Sequence, residues 1–167
     1  RLSYAEKVIK ILTDIQPLIG KQPNRDLLSI QLTLKLAVAL IIKADALENN
    51  REKKNEALGE AEEKLLGLKT KIDEAVKKSE PPLFDVHDVR AELYQLLATV
   101  YALRLDPLVK AKPAYQRPAD RYYNSYNMNH YLDLAKRENL LSHSKIAIQR
   151  AFALCNFAIP VPEEIER

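Results

Sequence analysis

The sequence predicts an all-α protein: a single-domain bundle of five or six mostly antiparallel helices with one long proline-containing loop. Two observations carry this. Of 167 residues only three are glycine and none is tryptophan, while Ala, Leu, Lys and Glu dominate; these side chains lose little rotamer freedom in a helix. Apolar residues recur at steps of three and four along most of the chain, and no stretch reads as a strand. The length suits one domain over residues 1–167, large enough to bury about two-thirds of its unfolded surface.

Taken in order, Ser3 followed by Glu6 is a capping-box pattern. Ala5, Val8, Ile9, Leu12, Ile15 and Ile19 then keep helical spacing, predicting a helix over 4–19 with Pro17 near its end and Gly20 and Pro23 beyond it. A second helix starts near Asn24 or Asp26, both suitable caps. Its residues 36–42 are apolar all round, which marks it as central. Asn49-Asn50 predicts a turn, with one continuous helix over 24–79 as the alternative.

From residue 51 to 79 acids and bases nearly balance, and Leu58, Ala61, Leu65, Leu68, Ile72 and Ala75 form a narrow heptad seam. Antiparallel pairing with the second helix suits this seam, and a homo-oligomer through residues 58–76 is the alternative. Gly59 and Gly67 each weaken the helix by up to ~1 kcal/mol relative to Ala, so tertiary contact must hold it. Pro81-Pro82 ends the element, and Asp85 or Asp88 caps the next. That helix has Val86, Val89, Leu93, Leu96, Val100 and Leu103 as its seam and Asp106-Pro107 as its stop. Pro107, Pro113 and Pro118 then punctuate a loop over about 106–126, longer than compact domains ordinarily use. The last helical region covers 127–159, with Leu141, Ile148, Phe152, Cys155 and Ile159 on one stripe. Arg137-Glu138-Asn139 is a point of division, and residues 160–167 form a frayed tail.

Several chemistries are disfavoured. His87, His130 and His143 are widely separated, and none lies at zinc-ligand spacing from another histidine or from the single cysteine, so no metal is expected. Cys155 sits in an apolar run and reads as an inert core thiol. With three glycines the chain holds no Gly-rich phosphate cradle, and no cofactor is implied. The longest apolar run, residues 36–42, is far short of the ~20 residues that cross a bilayer, and the first residues lack a signal-peptide pattern. A cytoplasmic or nuclear location follows, and catalysis is the less favoured outcome.

Charge and aromatic content single out one region. The chain carries +3, but residues 104–150 hold nine bases against four acids, +5, leaving −2 for the rest. Within that span, five of the eight tyrosines fall between Tyr115 and Tyr131, interleaved with Arg117, Arg121 and polar groups. Tyr115, Arg117, Arg121, Tyr122, Tyr123, Tyr126, His130 and Lys136 are the candidate partner-binding residues. Tyrosine and arginine are the usual anchors of protein interfaces, which predicts a protein partner and a role as subunit or adaptor in a larger assembly. Aromatic faces beside guanidinium groups also suit stacked bases, so single-stranded RNA or DNA is the second reading. The bland alternative is that the rings staple a loop to the bundle.

A third reading comes from Arg137-Glu-Asn-Leu-Leu-Ser-His143. These seven residues resemble the R-x(4–6)-H motif of HEPN ribonucleases, helical-bundle proteins. The resemblance implies Arg137 and His143 as catalytic candidates, a guanidinium stabilising phosphorane charge and an imidazole moving protons.

Overall fold

The computed structural model describes residues 1–20, 25–47, 49–78, 85–110 and 118–142. Five helices run in order: α1 (Leu2–Ile19), α2 (Arg25–Ala46), α3 (Arg51–Val76), α4 (Val86–Lys110) and α5 (Pro118–Leu141). Among the described residues there is no strand. The chain is thus all-α, and a helical bundle fits it. Its contacts gather into two compact units, Arg1–Val86 and His87–Arg167.

In the first unit α2 packs against both α1 and α3. Leu34, Leu36, Ala37, Ala39, Leu40, Ile41 and Ala44 are all buried, which is why this stretch is apolar on every side. Among the described residues α2 is also the one helix long and apolar enough to cross a bilayer, a criterion that the buried core helix of a globular protein meets equally. The turn expected at Asn49-Asn50 separates α2 from α3. Leu47 N–H donates to the Ala44 carbonyl (3.1 Å), Asn50 N–H donates to the Leu47 carbonyl (3.0 Å), and the Asn50 side chain accepts from Lys53 N–H (3.2 Å) as the N-cap of α3. So short a connection makes the two helices antiparallel neighbours. Most of the α3 seam is buried, with Leu58, Ala61, Leu65, Leu68 and Ile72 all inside and Ala75 half-buried.

Helix α1 begins two residues earlier than its sequence suggests. Arg1 is the N-cap residue, without a side-chain cap bond, and its carbonyl accepts from Ala5 N–H (3.0 Å). Ser3 is therefore inside the first turn, and the Ser3–Glu6 capping box does not form. Arg1 instead pairs with Asp45 at the far end of α2 (3.0 Å), which sets α1 antiparallel to α2. Pro17 is accommodated inside α1 close to its end, where losing one backbone hydrogen bond disturbs few residues beyond it.

The second unit departs further from expectation. Helix α4 does not stop at Asp106-Pro107 but continues to Lys110. Proline removes one N–H and crowds the preceding turn, yet the residues after it still have carbonyls upstream to bond. Its buried positions are Ala91, Leu93, Tyr94, Leu97, Ala98, Val100, Tyr101 and Leu105, while Val86, Val89, Leu96 and Leu103 are only half-buried. The seam is thus rotated towards the two tyrosines. Helix α5 begins at Pro118, so residues 118–126 are helix and not the tail of a loop. Proline has no N–H to leave unsatisfied in a first turn and its φ is already helical, which makes Pro118 a start signal. Residues 137–139 do not divide the helix, which runs on to Leu141, with Ser142 N–H donating to the Glu138 carbonyl (3.0 Å). The rest of the proposed loop (111–117) and the stripe from Ile148 to Ile159 lie outside the described residues.

Candidate partner-binding face on α5

Helix α5 turns a different kind of surface inward and outward. Its inner row is Asn124, Ser125, Met128, Tyr131, Leu132, Ala135 and Asn139, continued just past the helix end by Ser142, all buried. Three cross-contacts fix its direction against α4: His87 with Glu138, Tyr94 with Tyr131, and Tyr101 with Tyr123. Early residues of one helix meet late residues of the other, so the pair is antiparallel.

On the outer face, steps of four residues bring Tyr122, Tyr126 and His130 above one another. The Tyr122 and Tyr126 rings stack with centroids 6.0 Å apart and planes 19° apart; Tyr126 and His130 repeat this at 6.0 Å and 8°. All three are exposed, and with Tyr123 the tyrosines are 45–53% accessible. The same stripe continues to Asp133 and Arg137, which pair across one turn (3.0 Å). This ion pair is solvent-exposed and contributes little to stability.

The outer ladder is joined to the interior. His130 meets Tyr131 edge-on (5.2 Å, 65°), Tyr131 stacks on Tyr101 (5.9 Å, 3°) and on Tyr94 (5.9 Å, 28°), and Tyr123 meets Tyr101 edge-on (5.8 Å, 79°). Arg104 lies over the other hub ring, 5.6 Å from the Tyr101 centroid. Offset and edge-on pairs of this kind are worth about 0.5–1.5 kcal/mol each beyond the area they bury.

The structure thus brings together Tyr122, Tyr126 and His130, with Tyr123 beside them and Lys136, half-buried, on the flank of the same helix. Arg121 belongs to α5, but its side chain lies outside the described residues, as do Tyr115 and Arg117. His143 also lies outside them, and Arg137 is engaged with Asp133. Among the described residues no group of three or more metal-binding side chains assembles.

Sequence spacing missed one constellation. His87 Nδ1 and Glu138 Oε2 share a hydrogen bond of 2.6 Å, tying the start of α4 to the end of α5. Next to it Asn139 is fully buried and its Nδ2 donates to the Ala135 carbonyl (2.8 Å), while its Oδ1 finds no donor among the described residues. The partners in the His87–Glu138 bond are 51 residues apart, so no local pattern could announce them.

No family model, curated protein or solved structure matches this chain. The reading of its function therefore rests on the α5 face itself. That face offers flat, exposed, mutually stacked rings that carry hydroxyl and imidazole groups at their edges.

Proposed function

We propose that this chain is a non-catalytic, cytoplasmic interaction subunit that holds a protein partner against the outer face of α5. The supporting observation is the exposed three-ring ladder of Tyr122, Tyr126 and His130, backed by buried rings. A side chain that only staples a helix to its core buries its ring; these turn theirs to solvent. Rigid aromatic side chains present large contact area with few torsions to order, which is the character of interface anchors.

A second reading uses the same rings for single-stranded nucleic acid, favoured by their parallel planes and by the +5 charge of residues 104–150. The two readings separate in one experiment. Wild-type chain and a Tyr122→Ala/Tyr126→Ala variant are used as bait in extract from the native source, with and without nuclease. A defined protein retained by wild type through nuclease treatment, and lost from the variant, is the expected result. Retention of nucleic acid in place of protein, with binding that falls steeply as salt rises, would replace the first reading by the second. Equal retention by both baits would remove the α5 face from either.

A further inference from the structure

Helix α1 carries two apolar stripes, and α2 covers only one. The inner stripe of Ala5, Ile9, Leu12 and Ile19 is buried or half-buried. The outer stripe is Tyr4, Val8, Ile11, Ile15 and Leu18, with alternating steps of four and three; Val8, on the edge next to the inner stripe, is half-buried and the other four are exposed. Tyr4 is 70% exposed, Ile11 57%, Ile15 39% and Leu18 59%. At 3.6 residues per turn the stripe centres lie about a quarter-turn apart, as do the two neighbours of a corner helix in a four-helix bundle.

We infer that a second copy of this chain covers the outer stripe, α1 against α1, in antiparallel orientation. The spacing and the charges beside it carry the inference. In heptad terms Val8 and Ile15 occupy a positions, and Tyr4, Ile11 and Leu18 occupy d positions. Lys7 and Asp14 then share the flanking g position on the solvent side; both are exposed, and neither has an ion-pair partner among the described residues. Antiparallel helices bring g against g. In the register that sets Tyr4 opposite the partner's Ile15 and Val8 opposite the partner's Ile11, Lys7 meets the partner's Asp14, and symmetry repeats each contact.

The alternatives are poorer. Sliding one heptad in either direction sets Asp14 against the partner's Asp14, or Lys7 against the partner's Lys7. A parallel pair sets Lys7 and Asp14 against the partner's Leu12 and Ile19, which carry no charge. The charges thus select one orientation and one register. Two heptads are too few for an isolated coiled coil, but α1 is already held as a helix by α2.

Each copy contributes roughly 400 Å² of exposed apolar surface, about 800 Å² for the pair, which is below the ~1,200 Å² of stable interfaces and suits a weak, transient dimer. It should form with a dissociation constant on the order of 10 μM. Sedimentation equilibrium of the full chain between about 1 and 500 μM should show a monomer–dimer transition. Ile11→Glu, at an exposed position, should abolish dimer over that range with an unchanged far-ultraviolet spectrum. Lys7→Asp should raise the dissociation constant about tenfold by opposing two carboxylates twice, and Lys7→Asp/Asp14→Lys should return it to within about threefold of wild type. A strict monomer at every concentration overturns the inference, as does a dimer that survives Ile11→Glu. A double variant no tighter than Lys7→Asp overturns the antiparallel register.

Discussion

Replacing Tyr131 by leucine should destabilise the second unit by about 1–3 kcal/mol, although it leaves an apolar side chain in place. Tyr131 is buried and its ring lies between those of Tyr94 and Tyr101, both 5.9 Å away and within 28° and 3° of parallel. Leucine keeps most of the buried area but has no ring, so the two stacked pairs are lost at about 0.5–1.5 kcal/mol each. Alanine would add a cavity and cost about 3–5 kcal/mol. The comparison of the two variants separates stacking from burial. Urea unfolding followed by near-ultraviolet circular dichroism is the appropriate assay, since the chain has no tryptophan and its tyrosines dominate that signal. Wild type and Tyr131→Leu should share a slope and differ in midpoint, with a weaker native tyrosine band in the variant. A loss below about 0.5 kcal/mol with the band intact would refute the idea that the rings act as a connected stack.

Three further outcomes follow from the first unit. Leu65→Ala, at the fully buried centre of the α3 seam, should cost about 2–5 kcal/mol in denaturant unfolding, because the neighbours cannot close the cavity. Gly67→Ala should raise thermal stability by up to about 1 kcal/mol: an added methyl at this exposed helical position meets nothing within 4 Å. Asn50→Ala should cost about 1 kcal/mol by removing the acceptor for Lys53 N–H. Hydrogen exchange should show the loss at the first amides of α3 before its centre.

How much could be read from residues alone depended on whether apolar periodicity and burial coincided. In α3 they did for most of the seam: Leu58, Ala61, Leu65, Leu68 and Ile72 stand against a charged background and are buried, while Ala75 is half-buried and Lys54 and Ala57 are buried beside the seam. In α5 they did not. Asn124, Ser125 and Asn139, with Ser142 just past the helix end, make up half of its inner row, so the helix has almost no hydrophobic contrast and its first turns resembled a loop. Two prolines were misread for a related reason. Pro107 sits within α4 and Pro118 opens α5, yet both looked like breakers, since the ring's effect depends on its place in the helix. For α1 the expected face included Ile15, which is exposed; a helix with more than half its circumference apolar does not declare which part is covered. The aromatic candidates were visible as composition, but their ordering into an outward ladder and an inward stack needed the helical phase, which a loop assignment had hidden. The link between His87 and Glu138 is purely tertiary.

The edge-on contact between His130 and Tyr131 has one more consequence. Association normally freezes loose side chains, at a cost of about 0.5–1.5 kcal/mol for each one that loses its rotamers. If the α5 face binds as proposed, ring-on-ring contacts such as those of Tyr126 with Tyr122 and with His130 should limit that freedom before a partner arrives. Whatever settles on them meets a surface set in advance, and should gain in how slowly it leaves more than in how quickly it arrives.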